Sequence, residues 1–81
     1  MKNTQRKLVK ATWDEASKTP AKQVYKDGNF IIEEVLIPYD YDYSTVTYFV
    51  EYHEGRDCHS CGSCLSLDDA KKRIEELKAK N

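Results

Sequence analysis

Val24-Tyr25-Lys26-Asp27-Gly28-Asn29-Phe30-Ile31-Ile32-Glu33-Glu34-Val35-Leu36-Ile37-Pro38 decides the fold. Asp27-Gly28 stands between two apolar runs, and Asp-Gly suits the tight hairpin whose central positions both need φ > 0. The first strand covers Val24 to Lys26. The second runs from Asn29 to Ile37 and stops at Pro38, which has no N–H to give to a ladder. It is apolar on both faces near Phe30-Ile31-Ile32, so a central position is expected. A third strand, Thr45 to Tyr52, is rich in β-branched and aromatic residues. Its alternation puts Val46, Tyr48, Val50 and Tyr52 on one face and Thr45, Thr47, Phe49, Glu51 and His53 on the other.

Downstream, Ser66 is a good N-cap and Asp69 takes the N3 position of a capping box. Leu67, Ala70, Ile74 and Leu77 recur at helical spacing, and the acids at the start and lysines at the end suit the helix dipole. The spacing predicts a helix over about 67–79. Upstream, Thr12-Trp13-Asp14-Glu15 also has capping-box form, whereas Lys7-Leu8-Val9 reads equally as an edge strand. A short helix or an irregular arm with Trp13 as an anchor is expected there. The fold class is therefore α+β: a three-stranded antiparallel sheet with a C-terminal helix packed on one face. One domain spans residues 1–81, with an arm (1–20), a sheet (22–54), a Cys/His loop (55–65) and a helix (66–80).

With 81 residues the core is marginal, and a metal, a partner or a second copy would help it. No apolar run reaches the roughly 18 residues of a membrane span, and the N-terminus lacks a signal-peptide core. Three cysteines leave one over from any disulfide pairing. A reducing cytoplasm is expected. The net charge of −1 hides a partition: +5 over residues 1–26, −9 over 27–69 and +3 over 70–81. The acidic block is the part suited to a basic partner. The alternative is a solvated outer face of the sheet.

Cys58, Cys61 and Cys64 fall within seven residues, with His53 just upstream. Zinc takes four N or S donors in a tetrahedron, and these three thiolates with His53 supply that number. Cys58-His59-Ser60-Cys61-Gly62 resembles the C-x-x-C-G knuckle of zinc ribbons and rubredoxin-like sites, although the second knuckle of those families is absent. The iron–sulfur reading fails at Asp68, where a fourth cysteine would stand. Ordinary free thiols and a redox switch are the other readings of the loop. No zincin, deaminase or phosphate-loop pattern is present, so a non-enzymatic protein is expected.

Pro38-Tyr39-Asp40-Tyr41-Asp42-Tyr43 alternates phenol rings with carboxylates, a pairing suited to a basic protein surface. Tyrosines packed on the sheet are the alternative. The acids would repel phosphate, so direct nucleic-acid binding is not expected. The compact sheet, the Ser-Leu-Asp-Asp-Ala-Lys-Lys-Arg-Ile helix and the acidic, tyrosine-rich face resemble small accessory proteins of bacteriophages and mobile elements. The resemblance implies an anti-defence inhibitor or modulator of a host protein with a basic surface, such as a nucleic-acid-binding enzyme, acting in the host cytoplasm. Tyr39, Asp40, Tyr41, Asp42 and Tyr43 would form its centre, with Glu33, Glu34, Glu51 and Glu54 around them. The rival is a zinc-binding module built on Cys58, Cys61, Cys64 and His53, and a homodimer through the tyrosine-rich edge is a third option.

Overall fold

A computed structural model describes residues 7–80; Lys2 and Arg6, part of the positive N-terminal segment, lie outside them. The element order is β1 (Lys7–Lys10), α1 (Trp13–Lys18), β2 (Lys22–Asp27), β3 (Phe30–Pro38), β4 (Tyr43–Glu54), β5 (Asp57–Cys64) and α2 (Leu67–Ala79). The class is α+β with an antiparallel sheet and a C-terminal helix. The expected three strands are corrected to five. The reason lies in β4, whose 12 residues outreach any single neighbour. One of its edges pairs with β3 from Ser44 to Tyr52. The other edge is divided: β1 pairs with Tyr43 to Val46, and β5 with Tyr48 to Glu54.

The expected loop at 55–65 is thus mostly strand. Its Cys, Ser and Gly residues have little intrinsic preference for extended backbone, but an unpaired length of β4 lies beside them. A tight turn at Gly55, with φ +61°, returns the chain onto that edge. One extra residue enters β5 between Ser60 and Ser63, where the register with Glu51 and Phe49 shifts. Gly62 sits in this bulge with φ +108°, a conformation that a side chain would strain.

Both helices lie on one face of the sheet. The Ile32–Val50 pair packs against Ala70 and Ile74 of α2, and all four are fully buried. Ser66 Oγ accepts from the Asp69 N–H at 3.1 Å, so α2 starts where its polar cap dictates. Lys78 Nζ reaches Asp27 at 2.8 Å and ties the end of α2 to the β2–β3 hairpin. Further along the same face, Thr19 and Pro20, just after α1, line a cleft with Leu36 and Val46. The opposite face carries Ile31, Glu33, Val35 and Ile37 of β3 beside Thr45, Thr47, Phe49, Glu51 and His53 of β4. Among the described residues no helix covers it. None of the described helices is long and apolar enough to cross a membrane.

Candidate functional site

Two places on this sheet gather chemistry-bearing side chains, one at each end of β4. The first is the β3–β4 connection. Pro38 ends β3, and the N–H groups of Tyr39 and Asp40 both donate to the Tyr43 carbonyl, at 3.0 and 3.1 Å. Asp40 Oδ1 accepts from the backbone N–H groups of Asp42 and Tyr43 at 3.0 and 2.9 Å. Asp40 therefore builds the turn as well as carrying charge. Ala11 N–H donates to Asp42 carbonyl at 2.9 Å, and the buried Ser44 hydroxyl donates to Ala11 carbonyl at 3.0 Å. These bonds hold the start of α1 against the turn. Trp13 then lines, with Pro38, Tyr39, Asp40 and Tyr41, an open cleft of about 310 Å³.

Trp13 is 67% exposed and Tyr41 91%, while Tyr39 and Tyr43 are also on the surface. Trp13, expected as an anchor, does not hold the arm by burial. The Thr12 cap fixes its place instead: Glu15 N–H donates to Thr12 Oγ1 at 3.2 Å, and Thr12 N–H donates to Glu15 Oε1 at 2.9 Å. The hydrogen bonds from the Thr12 backbone, then from its side chain, hold the Glu15 carboxyl below its ordinary value.

The expected ring of acids around the tyrosines divides among three places. Glu34 lies on the helical face and accepts from Tyr48 hydroxyl at 2.9 Å. Burial, then this bond, raises the Tyr48 phenol. Glu54 sits at the far hairpin, 4.0 Å from His59. Glu33 and Glu51 lie on the open face. Asp40 and Asp42 alone stay with the rings.

The second place is the other end of β4. Cys58 stands opposite His53 in the β4–β5 register, and its Sγ is 3.7 Å from His53 Nε2. Glu51 Oε1 is 3.5 Å from the same nitrogen. One ligand atom each from Glu51, His53 and Cys58 lies within 4.8 Å of the others. Desolvation, then the hydrogen bond and charge of Glu51, raise the Glu33 carboxyl beside them, against a smaller pull from His53. Desolvation, then Glu51 and Glu33, also push the Cys58 thiol up.

The structure does not bring Cys61 and Cys64 to this point. Both pack under α2 against the buried cluster, on the helical face. In extended chain a three-residue spacing reverses the face, so Cys58 and Cys61 point oppositely. The Gly62 bulge then restores Cys64 to the side of Cys61. Glu51 is the donor that sequence reasoning missed; its signal was the alternation that already set it on the face of His53. No protein-family model, curated protein or solved structure matches this chain.

Proposed function

We propose that this chain acts by docking, with the aromatic turn at Tyr39–Asp42 and Trp13 holding a lysine or arginine side chain from a basic segment of a partner protein. The observation that carries this reading is the exposure of Trp13, Tyr39 and Tyr41 around one cleft with Asp40 on its rim. Aromatic faces are electron-rich and attract ammonium and guanidinium groups, by about 0.5–1 kcal/mol at exposed sites and more when desolvated. The carboxylates of Asp40 and Asp42 add long-range attraction and speed the encounter. The turn is already fixed by its own hydrogen bonds, so little ordering is lost on binding. The inhibitor or modulator role implied by the resemblance to phage accessory proteins fits such a surface, which would act by occupying a basic site.

Trp13 is the sole tryptophan, so its fluorescence reports the cleft directly. Titration with a lysine- and arginine-rich peptide should change its emission, weaken as salt rises, and fail in the Tyr41→Ala and Asp42→Lys variants. Asp40→Asn keeps an oxygen for the turn and should weaken binding without unfolding it. Equal responses to a basic and an acidic peptide would overturn the reading.

A further inference from the structure

We infer that Glu51, His53 and Cys58 form a zinc site on the open face of the sheet, with three protein donors and a fourth position open to water or a partner's donor. The geometry of His53 carries the argument. Sγ of Cys58 and Oε1 of Glu51 both approach Nε2, the same ring nitrogen, at 3.7 and 3.5 Å. A thiol–imidazole–carboxylate relay needs its thiol and carboxylate on opposite nitrogens, so that one orients the ring while the other exchanges a proton. Here the three donor atoms gather within 4.8 Å of one another, two of them around one ring nitrogen. That is the arrangement of ligands around an ion.

The distances suit a four-coordinate zinc ion. A tetrahedron with Zn–S of about 2.3 Å and Zn–N of about 2.0–2.1 Å has an S···N edge of about 3.5 Å. An N···O edge built on similar Zn–N and Zn–O bonds is about 3.4 Å. The two edges in the structure lie within a few tenths of an ångström of these values, and all three donor atoms lie within 4.8 Å of one another. Thiolate, imidazole and carboxylate together select zinc over magnesium or calcium, which prefer oxygen alone.

The donors also stand on paired strands and not on a loose loop. Glu51 and His53 share a face of β4 by period-two alternation, and Cys58 is the cross-strand partner of His53. The turn through Gly55 sets that register. Glu33 stands on the same face in β3, diagonal to Glu51 across the pairing. Among the described residues no lysine or arginine pairs with Glu33, Glu51 or Cys58. Among the described residues, His53 is thus the one cationic partner that Glu51 has.

Cobalt(II) substitution and zinc titration of the full chain test this. One ion per chain is expected, with a thiolate-to-cobalt charge-transfer band and the intense d–d absorption of four-coordinate cobalt. Cys58→Ser should abolish the charge-transfer band, and His53→Gln should weaken zinc binding more than a hundredfold. Cys61→Ser and Cys64→Ser should leave the band and the affinity unchanged. Because Cys58 and His53 sit at the surface, circular dichroism should show their variants folded. No band in the parent chain, a band surviving Cys58→Ser, or a band lost in Cys61→Ser would overturn the assignment.

Discussion

His53 and Cys58 face each other directly across the β4–β5 pairing, whereas Cys61, three residues on, lies beneath α2. The sheet thus sorts three neighbouring thiols into two environments. Cys58 is open to solvent, and Cys61 and Cys64 are half-buried. Burial, then the charge of Asp69, also pushes the Cys64 thiol up.

That sorting predicts an order of alkylation. Under native conditions near pH 8, iodoacetamide should modify Cys58 well before Cys64, and mass spectrometry of the digested protein would read the order. Denaturant should bring the rates together. Equal native rates would mean that β5 does not hold the chain in this register.

The contact between α2 and the sheet predicts a steep cost for one buried side chain. Ile74 is fully buried among Ile32, Val50 and Ala70. Ile74→Ala should cost about 2–5 kcal/mol, from lost transfer energy and the cavity left behind. That is much of the 5–15 kcal/mol that holds a typical domain. Ile37, 38% exposed on the open face, should lose far less on the same change. Urea denaturation of the two variants checks the ratio.

Acid should loosen the start of α1. In the folded chain the Glu15 carboxyl titrates below its ordinary 4.5 because Thr12 donates to it. A carboxyl depressed by folding contributes stability that is complete above its unfolded value and disappears as pH falls through its folded one. Protection of the α1 amides, taken relative to their intrinsic exchange rates, should therefore fall below about pH 4.5. Glu15→Gln should make that acid response shallower, and an unchanged profile would count against the capping contact.

At the bulge, Gly62→Ala should destabilise through the backbone alone. Beyond its chain neighbours, nothing lies within 4 Å of a Cβ built there, yet φ is +108°. Such conformations cost an L-residue of order 1–3 kcal/mol. Thermal unfolding would show the loss. A companion shift in Cys64 reactivity would show that the register of β5 had slipped.

How far the sequence could be read follows from the range of each signal. Asp27-Gly28 and the Ser66 cap are local, and a few residues suffice to place the hairpin and the start of α2, although Asp27 pairs with Phe30, the turn centres on Gly28-Asn29 and only Gly28 has φ > 0. β5 is not local: Cys58 to Cys64 extend because a length of β4 lies unpaired beside them, a fact held in another part of the chain. The same reason hid the donor cluster. Alternation set Glu51 and His53 on one face, but only the β5 register adds Cys58 and removes Cys61 and Cys64. At the aromatic turn, the exposed rings follow from their place beyond Pro38, while the arrival of Trp13 depends on the bond between Ala11 and Asp42. The acids split because neighbouring residues in a strand, such as Glu33 and Glu34, must point to opposite sides.

β4 also sets how far the two ends of the molecule can sense each other. From Tyr43 to His53 the strand rises about 33 Å, at roughly 3.3 Å per residue. The screening length at physiological ionic strength is only about 8 Å, so charge placed at one end is invisible at the other. Occupants of the two ends should behave as strangers: each would leave the other's dissociation constant untouched, and the chain could hold both at once as a spacer of fixed length.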